Sequence, residues 1–155
     1  MGMKKVLHAL TGAVLFAGML SLSAQAATGG AYTSASSRPM TVTAPNTWYT
    51  NNFPIRNGDI IPSNNAVISV IYYRYSLGQA NVGSKGTLNV QLCQGSTANC
   101  TDITAAQSGS TTAFKGKSVY TPFFLYYQVK TNKATTGTIN GSGDTQITVN
   151  YDIPQ

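Results

Sequence analysis

The segment Thr87–Cys93 changes character at every residue: Leu88, Val90 and Leu92 are apolar, Asn89 and Gln91 polar. A period of two puts alternate side chains on opposite faces, which is the pattern of a half-buried strand. It recurs over Asp144–Tyr151, with Ile147, Val149 and Tyr151 as the inward set, and over Pro122–Lys130, with Phe123, Leu125, Tyr127 and Val129 on one face. After residue 26 no stretch shows sustained helical periodicity. Gly, Asn and Ser break the chain at short intervals, and these residues favour turns.

Further strands follow the same logic. Ala66–Leu77 is the strongest: Val67, Ser69, Ile71, Tyr73 and Tyr75 share one face, and Ile68, Val70, Tyr72 and Arg74 the other. Both faces begin apolar, as in a central strand. Met40–Ala44 is a short strand, Thr101–Thr104 pairs back on the strand before it, and Thr111–Phe114 is weak. Residues 46–63 read as a loop with at most one short strand, and Gly78 to Gly86 turns the chain. Residues 27–38 read as a mobile or edge segment. Six to eight short strands with turns between them predict an all-β fold, a single antiparallel β-sandwich, with a small barrel as the alternative.

The N-terminus carries a different signal. Lys4 and Lys5 precede an apolar stretch from Val6 to Leu22, and Ser23-Ala24-Gln25-Ala26 follows. This is the order of a secretory signal peptide, with small residues at the cleavage positions. A span needs about 20 predominantly apolar residues, and this stretch is shorter and contains His8. Residues 1–26 are therefore expected to be a signal helix removed by cleavage. Residues 27–155 would remain as one domain, large enough to bury about two thirds of its unfolded surface. The mature chain is expected in the periplasm, or outside the cell, with no stable membrane insertion.

Cleavage would also remove chemistry. His8 is the only histidine, the chain contains no glutamate, and the acids are Asp59, Asp102, Asp144 and Asp152. A Ser-His-Asp or Cys-His system cannot be assembled from what remains, and zinc ligands are scarce. The Gly-rich stretches match neither a phosphate loop nor a dinucleotide fingerprint. An aspartate-pair glycosidase is the surviving enzymatic possibility, but these aspartates lie in turn-like stretches where Asp has a backbone role. The expectation is a non-enzyme with no cofactor and no metal. Cys93 and Cys100 flank a turn-rich loop, and in an exported chain an even count reads as a disulfide. The spacing is too wide for a Cys-x-x-Cys redox pair.

The remaining features are surface ones. Tyr72, Arg74 and Tyr126 form the candidate partner-binding face, drawn from Tyr72–Tyr75 and Tyr126-Tyr127. The same tyrosines would suit a sugar platform, although tyrosine is also an ordinary strand residue. Lys115, Lys117, Lys130 and Lys133 read as solvated surface lysines or as guards of strand edges. With a net charge that falls by two on cleavage, no nucleic-acid partner is expected.

Three segments together resemble the flagellar protein FlhE family. They are Tyr73–Leu77 before a Gly-rich turn; Leu88–Cys93 with Cys100, followed by Gln107–Thr112 and Phe114; and Gln146–Tyr151 near the terminus. Gly29-Gly30-Ala31 is a weaker echo, and the chain reads as a divergent member. The resemblance implies a periplasmic accessory protein, chaperone-like, that binds a flagellar export or rod component, with Cys93 and Cys100 as a structural pair and no catalytic residues. The competing expectations are a pilus-type structural subunit and a carbohydrate-binding or inhibitor module.

Overall fold

The computed structural model describes residues 28–60 and 65–155. The signal segment lies outside the described residues. In chain order the elements are β1 (Thr28–Ala35), β2 (Thr41–Val42), β3 (Tyr49–Phe53), β4 (Val67–Arg74), α1 (Gln79–Val82) with a 3-10 turn (Gly83–Lys85), β5 (Thr87–Gln94), β6 (Cys100–Asp102), β7 (Ser108–Thr111), β8 (Phe123–Lys130), β9 (Ile139–Asn140) and β10 (Gln146–Ile153). The first sheet has the order β1-β10-β4-β7 and the second β3-β8-β5-β6. A small ribbon, β2-β9, completes the fold, and every strand pairing is antiparallel.

The sheets pack as a sandwich because their inward residues are large and apolar. Ile71, Ile147 and Val149 from the first sheet are essentially fully buried, as are Leu88, Val90, Leu92, Leu125 and Val129 from the second. They belong to one continuous core with Met40, Val42, Leu77 and Phe114. Single buried aliphatic side chains of this kind contribute about 1.5–3 kcal/mol each.

Alternation predicts the inward faces of β5, β8 and β10 correctly, but not that of β4. Asn150 pairs with Val70 and Tyr151 with Ile68, so Ser69 is left over as a bulge. An extra residue reverses the alternation on one side of it. Ile68 therefore joins Ile71 and Tyr75 inside, in place of Val67 and Ser69. Residues after β7 stabilise the bulge: the Ile68 amide donates to Lys117 O at 2.9 Å and the Gly116 amide to Ile68 O at 2.8 Å.

Ten strands are present among the described residues, and the eight outside the two-residue ribbon match the six to eight expected. Other elements depart from expectation. The segment 78–86 is a helical turn rather than a plain turn, and it carries the buried Val82. The Gln79 side chain holds it to the sheet, accepting from Leu88 N at 2.9 Å and donating to Gly86 O at 2.9 Å. The weak strand begins three residues earlier than expected, and Phe114 falls in the turn behind it. There it meets Phe123 edge-on at 5.0 Å. Residues 28–35 form edge strand β1, whose Gly30 leaves room for the Tyr151 ring.

Candidate binding faces

Asp59 accepts from Arg56 N at 2.6 Å and Asp102 from Thr104 N at 2.8 Å, so both carboxylates close local turns. Asp144 meets Arg74 at 3.4 Å, with both side chains largely exposed. Such a surface pair contributes little to stability. No group of three His, Cys, Asp or Glu that could hold a metal occurs among the described residues. No helix among them is long and apolar enough to cross a membrane.

The tyrosines with shifted acidity are structural. Burial pushes the Tyr75 hydroxyl up to about 12, and the nearby Tyr73 and Asp102 add to the shift. That hydroxyl donates to Ile103 O at 3.0 Å, tying the segment just after β6 to the core. Burial likewise raises Tyr127. Tyr49 is also raised by burial, but hydrogen bonds from Thr43 and Ala44 outweigh this and the net shift is downward.

The three candidate face residues are divided between the sheets. Tyr72 and Arg74 point outward from β4 in the first sheet. Tyr126 points outward from β8 in the second, because its neighbours Leu125 and Tyr127 point into the core. The outer faces of two packed sheets look in opposite directions, so Tyr72, Arg74 and Tyr126 do not form one surface. Grouping them fails because membership of a sheet is set by long-range pairing, which local alternation does not encode.

The outer face of the first sheet is a row of small polar residues around one ring. Thr33, Thr148, Tyr72 and Ser110 lie side by side across β1, β10, β4 and β7. Tyr72 is 51% exposed. Thr33 and Thr148 satisfy one another, Oγ1 to Oγ1, at 2.8 Å. Next to Tyr72 the sheet ends at β7, whose Ser108, Gly109 and Ser110 are exposed. Among the described residues no strand pairs with the far edge of β7. Arg74, Ser108, Gly143 and Asp144 help to line an open cleft of about 380 Å³ at the end of this edge.

The second face is an aromatic ridge. Thr50 of β3 pairs with Tyr126, which brings the preceding Trp48 diagonally onto the same side. The Trp48 and Tyr126 rings stack at 4.2 Å and 8°, and Phe124 meets Tyr126 edge-on at 6.4 Å. Gln91 and Asp102 continue the Tyr126 row, and Cys93 and Cys100 the Phe124 row. Cys93 and Cys100 form the disulfide and sit directly opposite one another, 4.0 Å apart at Cα. Gly95, at φ 72°, turns the loop they close. The lysines are dispersed: Lys117 lies over the Phe114 ring at 5.6 Å, while Lys133 donates to Ser84 O at 2.6 Å. Trp48 is the member of the ridge that alternation alone does not single out. The outward phase of β8 points to Phe124, but only the β3–β8 register supplies Trp48.

Comparison with known proteins gives a consistent family. A family model described as flagellar protein FlhE matches residues 48–152. A solved structure titled "Crystal Structure of FLHE" superposes with a TM-score of 0.60 at 21% identity, covering 79% of this chain and 96% of that one. That likeness is one of fold. No curated protein sequence matches the chain significantly.

Proposed function

The chain belongs to the flagellar protein FlhE family, and from that premise we propose that it is an exported, periplasmic and non-catalytic accessory of flagellar assembly. It acts by binding a protein of the flagellar export system or rod, in a chaperone-like manner. The observation that carries the reading is the family match, which runs from Trp48 through β3–β9 and most of β10.

The first sheet suits a protein partner. An unpaired strand edge offers backbone groups to an extended segment, and side-chain contacts beside it supply specificity. The free edge of β7, with Tyr72 and Arg74 one strand inward, has this form. The residues at the edge are small and exposed, so an incoming strand meets no obstruction. A pilus-type subunit is less well supported, because the centre of the first sheet is filled by the chain's own β10 between β1 and β4.

The test is genetic and biochemical together. Deleting the gene in a flagellated host should alter motility or proton leakage through the export apparatus, and the wild-type chain should restore both. Osmotic shock should release a product that begins at Ala27. Retention in the cytoplasm, or a deletion without effect on either property, would remove the proposal.

A further inference from the structure

The ridge on the second sheet faces away from the proposed protein-binding edge and has its own chemistry. We infer that this face is a binding site for a neutral oligosaccharide, with Trp48, Tyr126 and Phe124 as the stacking surface and Gln128, Gln91 and Asn89 as hydrogen-bonding partners. This goes beyond the protein-binding role and does not depend on it.

Two independent observations carry the inference. The first is the ridge itself. Three rings stand together on the solvent side of the sheet, each half-buried. A pyranose has an apolar C–H face and a rim of hydroxyls. An aromatic surface receives the former, and planar amides beside it can donate to and accept from the latter. The second is a set of amides and hydroxyls that nothing in the fold uses. Gln128 points outward from β8 beside Trp48, and its amide makes no hydrogen bond among the described residues and still reaches solvent. Asn89 lies opposite Gln128, and Gln91 opposite Tyr126. Their side chains, and those of Thr50 and Asn52 on β3, have no partners in the fold either.

Charge selects the class of sugar. Asp102 and Lys130 lie at opposite margins of this face, and the groups between them are neutral. An acidic glycan would find no cationic row to meet it. A peptide fits less well. A stable protein interface buries about 800 Å² per partner around a water-free centre, and here amides border the rings on both sides. Tyr126 and Phe124 stand on β8, which is interior and offers no free backbone edge.

Trp48 is the only tryptophan, so the intrinsic fluorescence of the purified mature chain reports on this face directly. Titration with chitotetraose and with cellotetraose should give a saturable change for at least one of them. Gln128→Ala and Gln91→Ala should each weaken binding tenfold or more, a change of about 1.4 kcal/mol, with circular dichroism unchanged. Tyr72→Ala on the opposite face should bind as wild type does. Gln91 is part-exposed, so its variant keeps the test valid if Gln128→Ala fails to fold. No saturable response to either sugar, a response to tetragalacturonate or an unstructured peptide alone, or equal affinity in the Gln91→Ala protein would overturn the inference. Each of these results leaves the motility and fractionation experiments untouched.

Discussion

The two sheets share one core and differ on their outsides. On the first sheet, hydroxyls satisfy each other across strands, as Thr33 and Thr148 do, and the exposed features are Tyr72 and the open edge of β7. On the second, aromatic stacking ties β3 to β8, the disulfide pins β6 to β5, and amides stand unused between rings. The same alternation builds both faces inward. What differs is whether aromatic rings stand together among the outward polar groups. Small hydroxyl residues around a single ring leave a surface on which an edge is the notable feature, whereas amides beside a stacked ridge make a surface that can bind through its side chains.

The largest expected effect tests whether the core is shared. Leu125→Ala, under the ridge, should lower stability by about 2–5 kcal/mol, and Ile71→Ala, under the first sheet, by a similar amount. Denaturant unfolding followed by the Trp48 signal and by far-ultraviolet circular dichroism should remain coincident in both. If Leu125→Ala loosens the second sheet while the first stays protected from hydrogen exchange, the faces belong to separable units and the comparison breaks. A step smaller is the disulfide. Cys93→Ala with Cys100→Ala opens a loop of about eight residues and should cost about 2.5 kcal/mol in the chain-entropy model. Exchange protection should fall at β6 and not at β7.

Smaller again is the ridge. Trp48→Ala removes a stacked pair and should cost about 0.5–1.5 kcal/mol beyond the area it buries. Tyr72→Ala, at an exposed position with no such stack, should stay within about 0.5 kcal/mol of wild type. Equal losses would mean that Tyr72 is more than an exposed ring. The smallest change is expected with pH near neutrality, because residues 28–155 contain no histidine. Tyr75 behaves differently in alkali. Its acidity is raised in the folded protein to about 12 from an ordinary 10.0, so the folded state holds its proton where the unfolded state releases it. Stability is therefore complete below pH 10 and is lost as pH rises from there toward 12. A midpoint that does not move between pH 8 and pH 11 would contradict the buried placement of Tyr75.

The sequence makes β5, β8 and β10 legible because each keeps strict alternation and one apolar face. β4 is legible as a strand but not in its facing, since the extra residue at Ser69 is set by the register with β10 and by Lys117, both far away in the chain. β1 is hard to read because its first half, Thr28-Gly29-Gly30-Ala31, is small and polar. It is ordered by pairing with β10, and Gly30 is required there by the Tyr151 ring. Of the candidate site, Tyr72 and Tyr126 were visible as tyrosines on strands. Their separation onto opposite faces, and the arrival of Trp48 beside Tyr126, depend on which strands meet. Cys93 and Cys100 were readable because the disulfide is local: seven residues apart, across one tight loop.

In the proposed role the first sheet, through Tyr72 and the β7 edge, receives the protein partner. Photo-crosslinking in intact flagellated cells tests it most directly, with benzoylphenylalanine placed at position 72 in one strain and at position 126 in another. The account predicts that position 72 captures a protein of the flagellar export system or rod, and that position 126 does not. Capture of such a protein from position 126 alone, or from neither position, would contradict it.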